Sequence, residues 1–95
     1  QLIISSDFSH FFSALIAKKL DKRAINSILR LDISKLYQDY KDEKIQLCGI
    51  VPTLVGLSIL KKWNIRHVEE LNYTHSGYVN NDFSRVVGYG SLRFF

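Results

Sequence analysis

A chain of 95 residues has the length of one small domain, and its aliphatic and aromatic content excludes a disordered or low-complexity tract. The lone cysteine, Cys48, excludes an internal disulfide and with it a disulfide-stapled secreted scaffold, so a reducing, intracellular compartment is expected. The net charge of +4 is spread over both halves with no basic tail, which suits nucleic acid or an anionic surface and equally suits a protein that touches neither. No charged start precedes an apolar run, so no signal peptide is expected. A first residue other than Met, in a chain without Met, leaves a processed product or a fragment open alongside a single domain over 1–95.

Gln1–Ile4 reads as a short apolar lead, a candidate edge strand. Ser5, Ser6 and Asp7 offer N-caps, and Phe8, Phe11, Phe12, Leu15, Ile16 and Leu20 follow at helical spacing. Three phenylalanines on one turn form a core face here in preference to a stacking surface for a ligand. Asp21 reads as the next cap, before a stripe of Ala24, Ile25, Ile28 and Leu29; the two helices can also fuse, because Asp inside a helix costs little. Asp32 caps a third, with Ile33, Leu36, Tyr37 and Tyr40. Lys41–Lys44 is a mixed-charge turn.

Residues 45–60 carry no charge, and Lys44, Lys61 and Lys62 bracket them. Sixteen residues of helix span ~24 Å, short of the ~30 Å hydrocarbon core, so a buried segment is expected and not a membrane span. Pro52 divides the stretch. Ile45–Ile50 is expected as a short strand or helix end. A helix then runs from about Pro52 to Trp63, apolar nearly all round and so central and buried, with Asn64 as a left-handed stop. Segment 64–71 reads as a turn into a short helix or as a strand running on through Tyr73. Residues 74–77 and 80–82 have turn chemistry, and 83–95 reads as a hairpin or a bulged strand pair.

No enzyme motif stands out. Gly88-Tyr89-Gly90-Ser91 lacks the third glycine of a dinucleotide loop and the lysine of a phosphate loop, and is expected as a turn. Cys48 sits in the most apolar stretch and is expected as a buried, inert thiol. His10, His67 and His75 lack zinc spacing; a non-local His67–His75–Asp82 set is the one metal arrangement conceivable, and no metal or cofactor is expected. Asp39, Asp42 and Glu43 belong to a lysine-rich segment and read as a solvated face rather than an acid–base pair.

Leu47–Thr53, followed by Ile59–Ile65 and Val68–Leu71, resembles a helix-hairpin-helix element. The resemblance implies backbone N–H groups near Gly49–Thr53 approaching DNA or RNA phosphates, with Lys61, Lys62 and Arg66 adding charge. The region from Ile50 to Gly77 is also similar to the end of the N-terminal module of exopolyphosphatase and guanosine pentaphosphate phosphatase proteins, which implies a piece of an actin-like fold without its phosphate loops.

The expectation is an α+β chain with three short N-terminal helices, a central buried helix, and a small antiparallel sheet or hairpin drawn from Ile45–Ile50, Val68–Tyr73 and Val86–Phe95. The first functional reading is a small basic protein that binds RNA or DNA phosphates through Lys61, Lys62, Arg66, Arg85 and Arg93, which requires these residues to share a face. The second is an interaction subunit or homo-oligomer that uses Trp63, Phe94 and Phe95. The third is a fragment of a phosphate-processing enzyme.

Overall fold

The computed structural model describes residues 6–95. The lead Gln1–Ile4 falls outside them. Element order is β1 (Asp7–Phe12), α1 (Ala14–Leu29), α2 (Ile33–Lys41), α3 (Ile50–Lys62), β2 (Val68–His75), α4 (Gly77–Asn80) and β3 (Val86–Phe94). The class is α+β, with a three-stranded antiparallel sheet in the order β1-β3-β2.

The helical stripe expected from Phe8 divides at Ser13. Before it the chain is a strand; after it α1 begins, with the Ser13 hydroxyl accepting the Ile16 N–H at 3.4 Å. The strand wins because Asp7, His10 and Phe12 find partners in Tyr89, Val87 and Val86 of β3, with irregularities between the pairs. Phe8 is buried while Phe11, at a left-handed φ of 66°, is turned outward. Asp21 caps nothing: it lies inside the sixteen-residue α1, facing the sheet, so the first two expected helical stretches are β1 and one long helix.

Asp32 does cap α2, its carboxylate accepting the Lys35 N–H at 3.1 Å, after Leu31 turns left-handed and ends α1. Helix α3 matches the expected central helix within two residues, and Asn64 stops it at φ 64°. It is not buried all round. Thr53, Gly56, Leu57 and Leu60 face the core, while Val51 and Val55 are 66% and 53% exposed. Apolar residues on a small domain's surface are normal singly, so composition overstated the burial of this helix.

Ile45–Ile50 supplies core side chains (Ile45, Leu47 and Ile50) but no strand; β1 takes its place as the third strand. β2 and β3 pair from Val68↔Phe94 to His75↔Gly88. Gly88 and Gly90 lie inside β3 and not in a turn, because each lets a side chain press against the strand. A Cβ at Gly90 would sit 2.6 Å from the Phe8 ring, and one at Gly88 would sit 2.0 Å from an Asp21 oxygen. The core between sheet and helices is built on Phe8, Ile25, Ile28, Leu36, Ile45, Leu57 and Leu60. Cys48 is exposed, not buried: its neighbours in sequence turn inward and its thiol faces Ser6 and the Asp7 N–H.

Candidate functional site

A buried carboxylate ties the sheet to α1. Asp21 Oδ1 accepts the Ser9 N–H at 2.9 Å, and Oδ2 accepts the Ser9 hydroxyl at 3.0 Å and the Tyr73 hydroxyl at 2.5 Å. Ser9 belongs to β1, Tyr73 to β2, and Gly88 of β3 leaves the room, so one side chain gathers all three strands. Burial pushes the Asp21 pKa up, against the pull of the Tyr73 and Ser9 hydrogen bonds. The same burial, with the carboxylate alongside, pushes the Tyr73 phenol up as well.

Two residues beyond Tyr73 stands His75, which is nearly buried. Its Nδ1 accepts the Gly77 N–H at 3.2 Å, so the neutral ring carries its proton on Nε2. Tyr78 stacks on it with centroids 4.3 Å apart, and Phe83 meets it edge-on at 5.5 Å. His75, Tyr73 and Tyr78 line a cleft of about 370 Å³ between α1 and β2, with Lys18, Lys22 and Glu70 on its rim. Lys22 and Glu70 approach to 3.9 Å. This cleft offers a fixed imidazole N–H, an ammonium and an aromatic face to a polar ligand.

His10 lies apart, in a second cleft of about 670 Å³ shared with Gln46 and Cys48, its Nε2 3.7 Å from Asp7. Among the described residues no three His, Cys, Asp or Glu side chains converge on a point that would hold a metal ion. The conceivable His67–His75–Asp82 set is not assembled: His67 stacks on Phe95, and Asp82 is committed to Ser84, whose hydroxyl and N–H hold its carboxyl below the usual range.

The expected phosphate contacts are spread over the end of α3, the turn after it and both ends of β3. Lys61 and Lys62 end α3, and Arg66 follows it, bonded to Asn64 at 3.2 Å. Arg85 and Arg93 stand at opposite ends of β3, about 26 Å apart at ~3.3 Å per residue. Arg85 lies over Phe11 at 4.9 Å and Arg93 over Phe95 at 4.6 Å. Trp63 and Phe95 are exposed, whereas Phe94 packs against the core. The helix-hairpin-helix resemblance fails on local structure. Val68–Leu71 is strand, not helix, and the Gly49 N–H that would meet a phosphate donates to Ser6 Oγ at 2.8 Å.

Asp21, Ser9, Tyr73 and the His75 cleft escaped sequence reasoning because they lie far apart along the chain. The one available signal was glycine alternating through Gly88-Tyr89-Gly90 in an otherwise strand-like run.

Comparison with known proteins bears on the whole chain. The Memo-like protein family matches residues 1–93. A MEMO1 family protein of Methanosarcina barkeri is 37% identical over 90 residues, covering 95% of this chain and 34% of that protein. One from Aquifex aeolicus is 34% identical over 93 residues, covering 98% and 35%. One from Methanocaldococcus jannaschii is 36% identical over 90 residues, covering 95% and 31%. The chain thus spans about a third of the length of these relatives. These matches overturn the helix-hairpin-helix assignment of 47–71, the nucleic-acid-binding function built on it, and the phosphatase-fragment alternative.

Proposed function

The chain belongs to the Memo-like family, and from that premise we propose that it forms one wall of an enzyme-type, dioxygenase-like protein and presents the His75 cleft to a ligand. The observation that carries this reading is the Asp21 hub. A buried carboxylate is a poor source of stability, because desolvation offsets what its partners return. A fully bonded one does fix geometry. Here it fixes β1 beside His10 and β2 two residues from His75.

A dioxygenase-like reaction calls for a redox metal, and the described residues do not by themselves fit one. On this reading the donors lie outside the described residues, in the rest of a Memo-like protein. What this chain contributes is position: Gly77 holds His75 in one tautomer, and Tyr78 holds its ring plane.

One end of the molecule suits the seam with those other parts. Phe11, Phe83, Tyr78 and Val79 are all exposed there. Tyr78 and Phe83 meet edge-on, Val79 adjoins them in the chain, and the bond from the Ala14 N–H to the Phe83 carbonyl brings the β1–α1 junction alongside. Scattered apolar residues need no explanation, but a joined set on a small chain marks an interface. Trp63 and Phe95, first expected at an interface, are exposed as well. Among the described residues no helix is long and apolar enough to cross a membrane, and the free Cys48 thiol suits a reducing, intracellular setting.

The test is reconstitution. The 95-residue chain is co-expressed with the Methanosarcina barkeri relative from which the matching span has been removed. Stoichiometric association, abolished by Tyr78→Asp with Val79→Asp, supports the seam. Uptake of iron by the complex and dioxygen consumption with a panel of small organic substrates support the dioxygenase-like reading. A complex that forms but takes up neither removes that reading and leaves the family intact, and failure to associate removes the wall.

A further inference from the structure

Helix α1 carries a charge pattern that the His75 cleft shares only at Lys18 and Lys22. The outward residues Lys18, Lys19, Lys22 and Arg23, with Arg30 at its C-cap, recur at helical spacing, and its one acidic residue, Asp21, is turned inward. With Lys35 of α2 they line a groove of about 660 Å³ whose only carboxylate is Asp32. Among the described residues Lys22 and Lys35 approach carboxylates, while Lys18, Lys19, Arg23 and Arg30 have none within 4.0 Å. Ser27 lines the groove as well. It is only 5% exposed. At the head of the groove stands Leu15, 71% exposed.

We propose that this groove docks an acidic segment of a partner protein, with an apolar side chain on Leu15 and carboxylates on the four uncompensated cations. Charge complementarity selects the class of partner. The stripe from Lys18 to Arg30 is about 18 Å long, the span of five or six extended residues or three helical turns. A single-stranded nucleic acid would call for aromatic rings to stack its bases, and no aromatic residue lines the groove. A second copy of this chain, also at +4, would be repelled. The inference is independent of the chemistry proposed for His75.

The test is fluorescence anisotropy with a fluorescein-labelled twelve-residue peptide, one leucine followed by aspartates and glutamates at one-turn spacing. Its glutamine/asparagine counterpart and an oligothymidine of equal charge serve as comparisons. Saturable binding of the acidic peptide is expected, weakening about tenfold between ~50 and ~200 mM salt as exposed charge pairs are screened. Lys19→Glu with Arg30→Glu, both on the surface and checked for an unchanged circular dichroism spectrum, should weaken it at least about tenfold. Lys61→Glu with Lys62→Glu makes the same change in net charge at the end of α3 and should leave affinity within about twofold. Three results overturn the proposal: equal weakening by both double variants, tighter binding of the oligothymidine, or loss of peptide binding once the truncated Methanosarcina relative is bound. The last would mean that the rest of a Memo-like protein covers the groove.

Discussion

Gly88→Ala is the sharpest test of the Asp21 hub. The added Cβ would lie 2.0 Å from Asp21 Oδ2, 3.0 Å from its Cγ and 3.1 Å from the Tyr73 hydroxyl oxygen. An aspartate is too short to swing aside while keeping Ser9 and Tyr73. Displacing it loses one or two hydrogen bonds to a charged group, each worth ~1.5–3 kcal/mol, and adds the ~1–3 kcal/mol of an overfilled core. The lower backbone entropy of alanine in the unfolded chain returns ~0.5–1 kcal/mol. The expected net loss is about 4 kcal/mol, a large share of the ~5–15 kcal/mol that holds a domain together. Urea unfolding followed by circular dichroism reads this directly. A double-mutant cycle isolates the cause, because in an Asp21→Ala background the obstructing carboxylate is gone and Gly88→Ala should cost only about 1 kcal/mol. If Gly88→Ala alone costs less than about 1 kcal/mol, or costs the same in both backgrounds, Asp21 is not held where the hub requires it.

Other consequences are as direct. Burial keeps the folded-state pKa of Asp21 above its ordinary 3.8, so its contribution to stability is fully present below pH 3.8 and is lost as pH rises through the folded pKa. The stability of the wild type relative to Asp21→Asn should therefore fall on going from about pH 3.5 to neutrality and then level off, as urea midpoints across that range will show. Tyr73, raised above its ordinary 10.0, adds a second loss above pH 10 that Tyr73→Phe should abolish. Asp39 is buried with Oδ2 unbonded, and its other oxygen meets Lys35 at 3.1 Å. Lys35→Met leaves that carboxylate without an ion partner and should cost about 1–3 kcal/mol in thermal or urea unfolding, less than a fully buried pair because Lys35 is half exposed. Cys48 should react stoichiometrically with an aromatic disulfide reagent in native buffer, and a requirement for denaturant would restore the buried thiol first expected of it.

What was legible from residue order was local. Asp32 as a cap, Pro52 in the first turn of α3, Asn64 as its stop, and sheet segments at 68–73 and 86–95 all follow from single residues or short periods. What failed was decided by distant partners. Phe8, Phe11 and Phe12 fit a helical stripe as well as a strand, and only pairing with β3 settles the choice. Ile45 and Leu47 alternate like a strand, yet their segment joins no ladder of the sheet, its Cys48 N–H meeting the Asp7 carbonyl in a single bond at 3.1 Å. Asp21 reads as a cap because aspartate in a helix interior normally has nothing to do there, and its use is visible only once Ser9 and Tyr73 arrive from other strands. The basic residues after position 60 drew attention as phosphate contacts, whereas Lys18, Lys19, Lys22, Arg23 and Arg30 line one groove along α1.

The strand order also governs the sequence of assembly. The central strand β3 meets β2 through a short connection, with Gly88 only 13 positions after His75, but meets β1 across the chain, with Tyr89 lying 82 positions after Asp7. Closing the longer loop costs about 1.6 kcal/mol more chain entropy, roughly fifteenfold in a rate or an equilibrium constant. The β2–β3 pairing is therefore expected to form early and the pairing of β1 with β3 late. Until β1 arrives, one edge of β3 is an unpaired row of N–H and carbonyl groups, a template for another chain to pair with. Variants that loosen Ser9 should show themselves in aggregation during refolding before they show themselves in the melting temperature.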